Sequence, residues 1–152
     1  MKNIDILNLS LNLSNIDLKG VKISYAIARN IAILKPEAEA LLKAKEPSND
    51  FKVYDNERVE IAKKYAKKDE NGEPVIKDDT YVFDNKEAFD KEVAKLQKLH
   101  AKAIEEREKQ INDFKDLLEK ETPIELHKVN ITDIPEDITS QQMLAIYPIL
   151  ED

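Results

Sequence analysis

The stretch DNKEAFDKEVAKLQKLHAKAIEEREKQINDFKDLLEKE, Asp84 to Glu121, decides the fold. It holds no Pro and no Gly, and its apolar residues fall at Phe89, Val93, Leu96, Leu99, Ala103, Ile104, Ile111, Phe114, Leu117 and Leu118. Those spacings predict one helix of roughly ten turns at 3.6 residues per turn. Asp84 with Glu87 three residues on has the spacing of a capping box. Thr122-Pro123 ends the run, because a residue before proline is pushed out of the helical region. Two apolar lines lie on this rod: Phe89, Val93 and Leu96 on one, Ile104, Ile111 and Leu118 on the other. Two lines call for two partners, either a second subunit or the chain's own C-terminal segment.

The rest of the chain must pack against such a rod. Upstream, Val21 to Lys45 repeats Ile23, Ile27, Ile31, Leu34, Ala38 and Leu41 at helical spacing, with Pro36 inside. The stripe keeps its phase across Pro36, which favours a kinked continuous helix over a fresh helix starting there. A third helix is expected from about Asp50 to Lys67, with the stripe Phe51, Tyr54, Arg58, Ile61 and Tyr65. Asn71-Gly72 predicts a tight turn, and Pro74-Val75-Ile76 with Thr80-Tyr81-Val82-Phe83 supply short strands of a polar β-hairpin or ordered loop between this helix and the rod.

At the ends the pattern changes. Leu7, Leu9, Leu11 and Leu13 alternate with Asn8, Ser10 and Asn12, a period of two that predicts a strand, with a helix as runner-up. Ile124 to Ile131 alternates as well, and the two segments are expected to pair. Thr139 is a fair N-cap for a short last helix, Ser140 to Ile146, closed by Pro148. The expected fold is mainly α: a long helical hairpin plus a third helix, a short β-hairpin at one end, and terminal strands that pair. At 152 residues the expected organisation is a single domain over 1–152.

Composition narrows the function. The chain is 36% charged with a net charge of −7, which argues against direct DNA binding, since phosphate contacts need a cationic footprint. It has no Cys, which removes thiolate chemistry and suits a reducing compartment. No stretch approaches the apolar length of a membrane span. Only two glycines, Gly20 and Gly72, are present, so a glycine-rich phosphate loop is absent. His100 and His127 stand in different elements without the further donors a zinc site needs. Neither a metal nor a cofactor is expected, and no catalytic residue stands out.

The residues that invite a ligand are Tyr25, Arg29, Arg58, Tyr65 and Arg107. Arg58 and Arg107 fall on or beside apolar stripes, and Arg29 is one turn from Tyr25. A guanidinium away from water needs an acid, a carbonyl or a ligand anion. Internal ion pairs or rim positions answer that need within the chain. An anion pocket between helices or subunits, with tyrosine stacking on a flat ligand, answers it with a partner.

The run Ser24-Tyr25-Ala26-Ile27-Ala28-Arg29-Asn30, with Leu34-Lys35-Pro36-Glu37 behind it, resembles small phage-encoded helical proteins of unknown function. Tyr65 to Pro74, including Lys67-Lys68-Asp69-Glu70-Asn71-Gly72, and Ile134-Pro135-Glu136-Asp137-Ile138-Thr139 carry the same resemblance. It implies a helical fold around a hairpin and a phage accessory role in the host cytoplasm. The expected function is a non-enzymatic homo-oligomer that sequesters a host defence protein or a small anionic nucleotide signal. The alternative is a helper in phage head, neck or tail assembly.

Overall fold

The computed structural model describes residues 1–151. The chain is mainly helical, in the order α1 (Asn3–Asn15), α2 (Val21–Lys45), α3 (Asn49–Tyr65), β1 (Ile76–Lys77), β2 (Thr80–Tyr81), α4 (Lys86–Leu99), α5 (Ala101–Glu119), β3 (Val129–Asn130), α6 (Ser140–Ile146) and β4 (Leu150–Glu151). Among the described residues no helix is long and apolar enough to cross a membrane. Two compact units are distinguishable. The first combines Met1–Glu46 with the chain from Asp113 onward, and the second is the continuous segment Pro47–Asn112.

The first unit is built on the close pairing of α1 and α2. The N-terminal segment is therefore a helix and not the strand its alternation predicts. Its buried residues are Asn3, Ile6, Leu9, Ser10 and Leu13, a stripe at helical spacing, while Leu11 points to solvent. The alternating leucines satisfied both periods, and the partner surface of α2 selected the helical one. Leucine is also a strong helix former without the β-branch that favours strands. On α2, Ile23, Ala26, Ile27, Asn30, Leu34, Ala38 and Leu41 are buried, and the helix runs unbroken through Pro36. Pro36 is exposed, so water can reach the Ala32 carbonyl that its ring leaves without a donor. Gly20 precedes the helix at φ +131, a conformation that L side chains rarely adopt, and an added Cβ would stand 3.2 Å from Ile23 Cγ2.

Val129, Ile146 and Ile149 close this core. β3 pairs with β4 in parallel, Val129 opposite Leu150 and Asn130 opposite Glu151. The segment after α5 thus meets the C-terminal stretch, in place of the expected N-terminal strand. The N-terminus still comes close to it through a single bridge, Lys2 opposite Glu121. Asn3 then caps α5: its backbone N–H donates to Lys120 O at 2.9 Å and its Nδ2 to Leu117 O at 2.8 Å. Thr122 Oγ1 donates to Asn3 Oδ1 at 2.7 Å. These bonds satisfy carbonyls that a helix end leaves without partners. The last helix occupies the residues its pattern predicts, with Thr139 and Gln142 forming a reciprocal capping box.

In the second unit α3 packs on α4. Ser48 caps α3 by accepting from Phe51 N at 3.2 Å. The hairpin of β1 and β2 joins the two predicted strand segments and turns at Asp78-Asp79, both with positive φ (49° and 58°), while Asn71-Gly72 turns inside an antiparallel bridge of Lys68 with Pro74. Asn71-Gly72 forms a separate turn, in which Asp69 Oδ1 accepts from the N–H groups of Asn71 and Glu73 and Gly72 sits at φ +83. Two aspartates took the hairpin position because short polar side chains tolerate the left-handed region.

The predicted rod is two helices joined at one residue. Its cap is Asn85, which accepts from Ala88 N at 3.1 Å, and not Asp84. His100, at φ −105 and ψ 20, departs from helical geometry, although its N–H still donates to Leu96 O and its carbonyl still accepts from Ile104 N. Its ring is drawn to α3, with Nε2 3.0 Å from Glu57 Oε2 and the ring centroid 5.8 Å from that of Tyr54. Leu96 and Ala103 are buried, whereas Ile111 of the second apolar line is 41% exposed. α5 ends at Glu119, short of Thr122-Pro123.

Candidate functional site

The best-organised polar cluster lies in the first unit, around a fully buried asparagine. Asn30 sits on the buried stripe of α2. Its Nδ2 donates to Ala26 O at 2.9 Å and to His127 O at 2.8 Å, and its Oδ1 accepts from His127 N at 2.9 Å. The side chain therefore bonds both backbone groups of one residue, as a neighbouring strand would. An amide carries its donor and its acceptor on separate atoms, so it can serve both backbone groups at once. Among the described residues Ile124–Lys128 belongs to no strand, and the Asn30 side chain bonds the His127 backbone there.

The clamp fixes what surrounds it. The imidazole of His127 meets the Tyr25 ring edge-on, with centroids 5.4 Å apart and planes at 88°. Arg29, one turn from Tyr25, donates from Nη1 to the Tyr25 hydroxyl at 3.4 Å. Among the described residues no carboxylate lies within ion-pairing distance of Arg29. Beside it opens a hollow of about 300 Å³ lined by Arg29, Ile33, Glu125, Leu126, His127 and Lys128. Lys128 Nζ donates to Pro148 O at 2.9 Å, which holds its ammonium in place. The hollow is thus lined by two cations, Arg29 and Lys128, one ring, His127, and one acid, Glu125, with Tyr25 against the His127 ring.

Of the five residues singled out in the sequence, Tyr25 and Arg29 are brought together in this unit. Arg58, Tyr65 and Arg107 belong to the second unit and each has local partners. Arg58 pairs with Asp55 one turn back at 2.9 Å. Lys64 Nζ stands 5.2 Å from the Tyr65 ring centroid. Arg107 donates to Gln110 Oε1 at 2.7 Å and lies over the Phe51 ring at 5.7 Å. Arg58 thus has a carboxylate partner and Arg107 an amide and a ring, all within the second unit.

His127 and Asn30 were not foreseen as parts of a site. The available signal was Asn30 itself, a lone amide in phase with Ile23, Ile27 and Leu34. A buried amide needs partners, and the apolar stripe predicts burial. His127 gave no such signal, because its position depends on a contact 97 residues away in sequence.

The groups with resolved pKa shifts lie elsewhere. Lys2 and Lys63 are both raised above the ordinary lysine value, by hydrogen bonds to Glu119 and Glu60. Among the described residues no cluster of three or more His, Asp or Glu side chains is placed to hold a metal ion. The chain matches no protein-family model, and no curated protein or solved structure matches it significantly.

Proposed function

We propose that this protein is a non-enzymatic, homo-oligomeric binding protein that captures a small anionic ligand carrying a flat ring, of the nucleotide class, at the Arg29–His127–Lys128 hollow beside Tyr25. The observation that carries this reading is the pairing of Arg29, a guanidinium without a carboxylate partner, with a recess whose wall is fixed by the Asn30 clamp. A guanidinium offers paired N–H donors to a phosphate, and the adjacent rings offer a stacking surface. Capture of this kind needs no bond to be made or broken.

The resemblance of Ser24–Asn30 to small phage proteins supplies the setting. In it the protein acts in the host cytoplasm as an anti-defence factor that withdraws a nucleotide immune signal or blocks a defence protein. A second reading, a phage particle assembly helper, draws on a different surface. Exposed Val53 and Leu99 line a hollow of about 230 Å³ in the second unit, rimmed by Asp50, Lys102 and Glu106, a mixed surface suited to a protein partner.

Thermal shift and calorimetry with linear and cyclic nucleotides test the first reading. The expected result is a rise in melting temperature with at least one of them, lost in Arg29→Ala and Tyr25→Ala, with the ligand recovered unaltered by mass. Absence of any shift, or a ligand returned hydrolysed, defeats it. Phage particles lost on deletion in a host without defences favour assembly instead.

A further inference from the structure

The first unit brings together the two longest uncharged runs of the chain. Ile6–Ile16 spans eleven residues without Asp, Glu, Lys or Arg, and Ile138–Leu150 spans thirteen, in a chain that is 36% charged. These runs supply α1, α6 and the turn after α6, and α1 packs on α6. Their inner sides fill the core with Ile6, Leu9, Leu13, Ile146 and Ile149. Burial explains the absence of charge there, but it does not explain the outer sides. Leu11 is 62% exposed, Leu144 74% and Tyr147 70%. Asn12, Asn15 and Gln141 surround Leu144 at a hollow of about 520 Å³, with Asp17 as its one acid.

We propose that this uncharged α1–α6 face is the contact through which two copies of the chain associate. Three features point to a second copy. The chain carries a net charge of −7, so two copies repel wherever acids face each other, and this face is where they meet least charge. A two-fold contact must also be complementary to itself. A carboxylate surface fails that condition, whereas an amide surface meets it, because each Asn or Gln both donates and accepts. Finally, Leu144 projects at the rim of a recess, so one surface holds both a knob and a hole. Depletion of charge around apolar anchors is the mark of an interface centre.

The inference gives a surface to the oligomer in the proposed function, and ligand capture is not needed for it. The test is sedimentation velocity on the full ligand-free chain across a wide concentration range. The expected mass is twice the 17.5 kDa of one chain, with association held or tightened as salt screens the repulsion. Leu144→Glu and, separately, Asn12→Asp at an exposed position should each give a monomer with unchanged circular dichroism and melting. Leu99→Glu, exposed in the second unit, should leave the dimer intact. A wild-type chain that stays monomeric throughout, or a dimer that survives both face variants, overturns the proposal. A dimer that binds no nucleotide overturns only the ligand reading, and a monomer that binds one overturns this contact and the homo-oligomeric part of the proposed function but leaves ligand capture standing.

Discussion

Asn30 holds His127 by both of its backbone groups, at 2.9 Å to the N–H and 2.8 Å to the carbonyl. Each bond alone is ordinary. Together they leave no polar atom of a fully buried amide unpaired. Removing the side chain leaves two His127 backbone groups without their partner, at about 1–3 kcal/mol for each group so stranded. Asn30→Ala should therefore lower stability by about 2–4 kcal/mol in urea unfolding. Asn30→Asp should cost at least as much, because a carboxylate cannot donate to the carbonyls of Ala26 and His127. A loss below about 1 kcal/mol in both would show that the clamp contributes little.

The capping box of α6 is a local device with a local readout. Thr139 Oγ1 accepts from Gln142 N at 3.2 Å, and Gln142 Oε1 accepts from Thr139 N at 3.0 Å. Thr139→Ala should cost about 1 kcal/mol, and Thr139→Ser should retain most of it. Hydrogen exchange at Gln142 and Met143 should speed up in the first variant and not in the second.

Asp78 and Asp79 both occupy the left-handed region that glycine enters without strain. Asp79→Gly should stabilise the second unit by about 1 kcal/mol, since an L-residue there costs about 1–2 kcal/mol. The check is a higher melting midpoint followed at Tyr81, which pairs with Ile76 in this hairpin. An unchanged or lower midpoint would mean that aspartate supplies compensating bonds.

Lys2 donates to Glu119 at 2.8 Å, and this bond raises its pKa above the ordinary lysine value. A raised folded pKa stabilises the fold at pH below the unfolded value, and that contribution disappears as pH climbs through the folded one. In NMR titration the Lys2 side chain should lose its proton at higher pH in the wild type than in Glu119→Gln. Coincident curves would show that the pair does not persist in solution.

The legible parts of this fold were those set by neighbours in sequence. Thr139 and Gln142 are three residues apart, and the extent of α6 followed from them alone. The stripe of α2 continued in phase across Pro36, and the helix did too. Legibility failed where two local patterns competed. Leu7 to Leu13 fits a period of two, and only contact with α2 favours the helical choice. Asn71-Gly72 formed the turn its signal predicts and the strands lie where expected, whereas the second turn, at Asp78-Asp79, carried no comparable signal. The candidate site was half visible. Tyr25 and Arg29 are one helical turn apart, so their proximity could be derived, whereas His127 reaches them only through tertiary folding.

The bond between Asn30 and His127 also orders events in time. The second unit is continuous in sequence, so it can complete as soon as Asn112 has left the ribosome. The first unit cannot, because α2 must wait for the far end of the chain before its buried amide finds a partner. Contacts between distant residues form late in folding because the closure entropy of the intervening chain comes first. During synthesis, then, α1 and α2 lack Val129, Ile146 and Ile149, which close their core, until those residues have emerged. That interval is when the nascent chain most needs protection from aggregation.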